Sequence, residues 1–187
     1  MTGNAIALAT LAAGVAALLL AVHGERTAPE EETLAHTRSE FSFRVAAPIE
    51  AAAPLFGAEA ERGWGGREWS PRFLYPQPAA DVQGAVFVVK HGPHDSTWVA
   101  TAQDFAGGHV QYVNFIDGAV ATLIDIHLRP ASPQETAVLV VYERTALRAE
   151  WNSRVRELAA RDAASGPEWA AAIRQYLAAS RRPAANP

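Results

Sequence analysis

The chain has no cysteine and a single lysine among its 187 residues. The first absence excludes disulfides, thiolate nucleophiles and cysteine-based zinc sites. The second leaves Lys90 as the one candidate for Schiff-base chemistry, and it lies beside a turn rather than in a desolvating pocket. The remaining basic charge is arginine, no basic cluster interleaves with exposed aromatics, and the formal net charge is −4. That balance argues against a nucleic-acid surface. No phosphate loop, HExxH pair, Ser-His-Asp order or paired-carboxylate motif occurs, and nothing calls for a cofactor. No internal repeat is present either.

What is present is an ordinary globular composition, 49% hydrophobic and 19% charged, which at this length predicts one domain plus accessories. Residues 5–22 form an uninterrupted apolar run. It reads as the core of a signal peptide or as a short N-terminal membrane anchor, so residues 1–22 are expected to place the protein at or beyond a membrane. An Ala-rich helix of neither kind is the third reading. Residues 1–4 carry no Arg or Lys and no clear small-x-small cleavage site follows, which weakens the signal peptide; the flanking charges leave orientation open. Residues 23–38 are polar, acidic and contain proline, the composition of a linker. The folded domain is expected over 39–180, and 181–187 as a disordered tail.

Within the domain, Phe41, Phe43 and Val45 alternate with Ser42 and Arg44, a half-buried strand. Residues 49–57 predict a short helix that Pro54 kinks or splits and Gly57 stops. The Gly/Trp-rich stretch 58–84 is too irregular for a long element. Strand-like runs follow at 85–91, 97–105, 109–116, 119–128 and 135–145, joined by turns at 91–96, 106–108, 117–118 and 129–134. Residues 147–163 predict a helix with Leu147, Trp151, Val155 and Leu158 on one face. Ser165 to Glu168 restarts it in capping-box fashion, with Trp169, Ile173, Tyr176 and Leu177 as the apolar stripe. A curved antiparallel sheet with a long C-terminal helix across one face is an α+β solution.

Three constellations carry potential chemistry. His91, His94 and Asp95 fall within five residues, but the intervening Gly-Pro makes a hairpin tip the favoured reading over a metal site. Asp125 and His127 share a strand face with Arg129, opposite the apolar Val120, Ile124, Ile126 and Leu128, so they are expected on the solvated side. Asp104, Tyr112, Asn114, Tyr142 and Arg144 are polar groups that can point inward; for the tyrosines the alternative is a hydroxyl that simply finds a backbone partner.

The element order and the segments 43-FRVAAPIEAAAPLFGAEAERGWGGREWSPRFLYP-76, 84-GAVFVVKHGPHDSTWVAT-101 and 142-YERTALRAEWN-152 resemble the START-like (SRPBCC) superfamily of polyketide cyclases and lipid-transport domains. The resemblance covers about residues 39–180 and implies the helix-grip fold, with a deep cavity between sheet and C-terminal helix. It further implies that Trp64, Trp69, Phe73 and Tyr75 form the cavity mouth. Phe87, Trp98, Tyr112, Asn114 and Tyr142 on the strands and Trp151 on the helix would meet a ligand, unless they are plain core. The implied partner is a hydrophobic or amphipathic small molecule, lipid- or polyketide-like, in a binding protein with no metal. A cyclase/aromatase-type enzyme, using Tyr112, Asn114 and Tyr142, and a membrane-tethered interaction module with a filled cavity are the alternatives. Oligomeric state stays open.

Overall fold

A computed structural model of the chain describes residues 33–181, apart from the side chain of His91. The apolar run 5–22, most of the linker and the tail from 182 lie outside the described residues. Among the described residues no helix is long and apolar enough to cross a membrane.

Seven antiparallel strands make one sheet in the order β1-β7-β6-β5-β4-β3-β2. They are β1 (His36–Val45), β2 (Arg72–Tyr75), β3 (Val86–His91), β4 (His94–Asp104), β5 (His109–Ile116), β6 (Val120–Ser132) and β7 (Glu135–Ala146). Period-two alternation drives the longest of them. In β6, Val120, Thr122, Ile124, Ile126 and Leu128 are buried while His127 and Arg129 are exposed, as an antiparallel strand with one wet face requires. β1 and β7 close one end of the sheet, with Phe41 opposite Val140 and Phe43 opposite Val138.

Several boundaries depart from the sequence expectation for local reasons. β1 starts at His36, inside the presumed linker, because a strand on the sheet edge can be polar throughout: His36, Arg38 and Glu40 face solvent. β2 adds an edge strand within the irregular stretch. β6 runs to Ser132 through Pro130. That proline is tolerated because β5 pairs with β6 only as far as His127, so nothing there needs its missing N–H. The β5–β6 hairpin uses three residues, with Ile116 paired to Val120, rather than Asp117-Gly118 alone. At 91–96 the chain is indeed a hairpin, as His91 pairs with His94 across Gly92-Pro93.

Between β1 and β2, α1 (Ile49–Ala52) passes into a 3-10 turn, Ala53–Phe56, with Pro54 at its start. This is the split helix expected of that proline. A second 3-10 turn spans Ala60–Gly63. The C-terminal helix is two helices, α2 (Asn152–Ala163) and α3 (Gly166–Ser180). The capping box does not form. Ser165 Oγ instead donates to the Arg161 carbonyl (3.0 Å), closing α2, and Pro167 serves the first turn of α3.

The α3 stripe seats on the sheet. Trp169 meets Phe41 (5.4 Å between ring centroids) and Trp64 (5.3 Å), while Ile173 is fully buried. A close backbone crossing holds the other side. Gly108 has φ +72°, and a Cβ there would lie 2.3 Å from the Leu128 carbonyl oxygen. Gly108→Ala is therefore expected to destabilise the fold by about 1–3 kcal/mol, read as a lower urea midpoint of the full chain at unchanged m-value.

Candidate functional site: the cavity beneath the C-terminal helices

Registered strand pairs bring side chains from distant sequence positions into rows on the concave face of the sheet. Trp98 pairs with Asn114, Asn114 with Thr122, and Thr122 with Arg144. The next row is Ala100, Tyr112, Ile124 and Tyr142. Beyond it lie Val110, Ile126 and Val140, all apolar and buried. The concave face thus grades from a polar row to an apolar floor. Over the first two rows lies a cavity of about 1040 Å³, walled by Glu61, Trp69, Trp98, Trp151, Leu158 and Trp169.

Of the inward polar groups on the sheet, some are held by protein partners and some are not. Arg144 forms an ion pair with Asp162 of α2, both side chains nearly buried, and its guanidinium lies 4.5 Å from the Tyr142 ring centroid. Burial lowers the guanidinium pKa, against the opposing influence of Tyr142. The Tyr112 hydroxyl donates to the Phe56 carbonyl (2.9 Å), and burial raises its pKa. Tyr142 is raised by the same cause. The side chains of Asn114 and Thr122, both lining the cavity, have no protein hydrogen-bond partner among the described residues. Their polar atoms are available to an occupant.

Glu61 is the feature that sequence reading missed. It sits on the second 3-10 turn with part of its surface open to the cavity and protein packed around it. Desolvation, with the nearby Asp81 carboxylate adding to it, pushes its pKa up to about 8. Asp81 is fixed by the Glu59 and Ala60 amides, which donate to it at 2.7 and 3.1 Å. Gly65 leaves the room: a Cβ there would be 2.8 Å from Glu61 Cγ. Near neutral pH Glu61 is a protonated acid facing the cavity, the condition under which a carboxyl can donate a hydrogen bond or exchange a proton.

Of the sequence-predicted residues, Trp69, Trp98, Tyr112, Asn114, Tyr142 and Trp151 come together on the cavity wall. Four do not. Trp64 is core: its Nε1 donates to the Leu55 carbonyl (2.7 Å) and its ring packs on Phe56 and Trp169. Phe87 is fully buried behind the wall, and Phe73 stacks on it at 5.2 Å. Tyr75 is 60% exposed on the edge strand β2, paired to Val86 of β3 on one side and open on the other. Asp104 also turns outward, and accepts from the Gly107 amide (2.8 Å) as a turn residue. His94 does reach the cavity rim, its ring edge-on to Trp151 at 5.7 Å.

This is the helix-grip architecture of START-like proteins. Solved structures share it at low sequence identity. Norcoclaurine synthase of Thalictrum flavum, in complex with dopamine and hydroxybenzaldehyde, superposes with a TM-score of 0.58 at 14% identity, over 81% of this chain and 91% of that one. The Zhui aromatase/cyclase of Streptomyces sp. R1128 gives 0.54 at 14%, over 79% and 97%. A Thermobifida fusca protein solved by NMR gives 0.56 at 13%, over 80% and 99%. No protein-family model matches the sequence, and no curated protein matches it.

Proposed function

We propose that the chain binds an amphipathic, largely apolar small molecule in the cavity beneath α2 and α3. The observation that carries this is a cavity of about 1040 Å³ in which the sheet sets a registered polar row, Asn114, Thr122 and Arg144, beside an aromatic and aliphatic floor. That volume lies at the upper end of the range for small-molecule sites, on the order of 300–1,000 Å³. It also argues against an interaction module with a filled interior. The ligand's polar end meets Asn114, Thr122 and the spare donors of Arg144. Its apolar body lies against Trp69, Trp98, Ile124 and Ile126, a lipid- or polyketide-like shape. The two solved structures whose names carry a synthase and an aromatase/cyclase support use of this cavity for small molecules. The apolar run 5–22 supports a site of action at or beyond a membrane, close to lipid-like ligands.

A second reading, an acid–base catalyst of the cyclase type, is favoured by Glu61 alone. A carboxyl with a pKa of about 8 among raised tyrosines can protonate or deprotonate a bound carbonyl compound near neutral pH.

Native mass spectrometry of the full chain isolated from its own membranes or secretion medium tests the binding reading. One small molecule per chain is expected to be retained. Ile124 is buried at the centre of the floor, between Tyr112 and Tyr142. Ile124→Trp is expected to obstruct the floor of the cavity and weaken retention while preserving the far-UV circular dichroism spectrum. Repeated absence of any bound species in the unmodified chain would sink the reading.

A further inference from the structure

The convex face of the sheet, remote from the polar row of the cavity, carries a separate constellation. β5 and β6 place His109 directly opposite His127 and Gln111 directly opposite Asp125. Both imidazoles aim the same nitrogen at one carboxylate: His109 Nε2 is 2.7 Å from Asp125 Oδ1, and His127 Nε2 is 3.0 Å from Oδ2. The two rings stack almost parallel, 4.9 Å apart at an interplanar angle of 6°. One ligand atom from each of the three residues lies within 4.8 Å of the others.

We propose that His109, Asp125 and His127 form a divalent transition-metal site, with Zn²⁺ as the ion whose chemistry the donor set fits. Two borderline imidazoles with one carboxylate make a mixed nitrogen–oxygen set that suits Zn²⁺; Mg²⁺ and Ca²⁺ take oxygen-only sets. A tetrahedral Zn²⁺ with bonds near 2.0–2.1 Å holds its donors about 3.4 Å apart. The contacts of 2.7 and 3.0 Å and the outer bound of 4.8 Å bracket that value, so small side-chain rotations admit the ion. Three protein ligands on an outer face leave the fourth position to water.

The surrounding residues orient the carboxylate. Gln111 Nε2 donates to Asp125 Oδ1 (3.2 Å), and Thr101 Oγ1 donates to Gln111 Oε1 (2.9 Å). Thr101 is the extra residue of a bulge, where the register of β4 slips between Ala100 and Ala102. Alternation from the buried Trp98 and Ala100 puts its hydroxyl on the outer face. A relay through three strands fixing one carboxylate is the kind of outer-shell support that metal ligands receive. A solvated surface carboxylate does not need it.

The test uses the untagged full chain, titrated with Zn²⁺ calorimetrically and with Co²⁺ as a spectroscopic probe. One ion per chain is expected, with the visible d–d absorption of low-coordinate Co²⁺ and no response to Mg²⁺. His109→Ala and His127→Ala are expected to abolish both signals, with circular dichroism unchanged because both rings face solvent. Gln111→Ala is expected to weaken binding about 10-fold or more by releasing the carboxylate. Ile124→Trp, which obstructs the cavity floor on the opposite face, is expected to leave metal binding intact, so this site and the cavity stand or fall separately. Failure to bind Zn²⁺, or binding that persists in the His109→Ala/His127→Ala double variant, overturns the proposal.

Discussion

Arg144→Ala is expected to lower the stability of the full chain by about 3–5 kcal/mol, the cost of leaving one partner of a buried ion pair uncompensated. The Arg144 and Asp162 side chains are only 12% and 11% exposed. In the variant, the Asp162 carboxylate keeps only a marginal contact with Ser39 Oγ at 3.5 Å. The pair also joins β7 to α2, so the loss loosens the cover over the cavity and not just one side chain. A double variant separates these effects. Arg144→Met with Asp162→Leu removes both charges together, and such replacements are often neutral. It is therefore expected to regain most of the lost stability. Ligand retention should not return with it, because the guanidinium that completes the row with Asn114 and Thr122 is gone. Urea unfolding of the three chains, with native mass spectrometry alongside, checks both halves. A loss under about 1 kcal/mol in Arg144→Ala would mean that the pair is solvated and not structural.

The inward and outward faces of the sheet were legible because alternation is a strong signal wherever one face is wet. Val120 to Leu128 sorts the residues of β6 without reference to anything else, and Tyr112, Asn114 and Tyr142 follow from the same periodicity. The outer site was half legible for an instructive reason. Asp125 and His127 share a face by spacing alone, but His109 joins them only if the hairpin register is right. A two-residue turn at Asp117-Gly118 would set His109 opposite Ile126. The three-residue turn sets it opposite His127. A slip of one residue exchanges the faces of a strand, so turn length decided whether the cluster exists.

Within the Gly/Trp-rich segment the sequence carried no period at all. Trp64 and Trp69 lie five residues apart; one ring went into the core and the other onto the cavity wall. Two 3-10 turns and the Asp81 contact, not local propensity, set their directions. Glu61 was invisible for the same reason. An isolated glutamate in an irregular stretch reads as surface, and only the fold reveals the desolvation around it.

Glu61 gives the second large effect, a stability that falls as pH rises. Its ordinary pKa of 4.5 applies to the unfolded chain, and in the folded chain burial raises it to about 8. Between those values the native state holds a proton that the unfolded state has released, so the slope of stability against pH is negative. The contribution of this group is complete below pH 4.5, declines through neutrality and is lost above about pH 8. One pKa unit corresponds to about 1.4 kcal/mol, and contact with cavity solvent reduces the full value, which leaves about 2–4 kcal/mol across the window. Glu61→Gln keeps the shape and the neutral hydrogen-bonding capacity but cannot ionise. Its unfolding free energy is expected to lose this slope, so that it exceeds the unmodified chain at pH 9 and matches it near pH 5. Asp81→Asn, which removes the charge and keeps an acceptor for only one of the Glu59 and Ala60 amides, is expected to shift the window slightly to lower pH, because desolvation and not Asp81 is the larger cause. Urea midpoints of the three chains at pH 5, 7 and 9 decide the matter: equal slopes in the unmodified chain and Glu61→Gln would mean that Glu61 titrates as a surface carboxylate. The same variant divides the two functional readings. A binding protein with Glu61→Gln should still retain its ligand at pH 7, where the native group is already mostly neutral, whereas an acid–base catalyst should bind and fail to turn over.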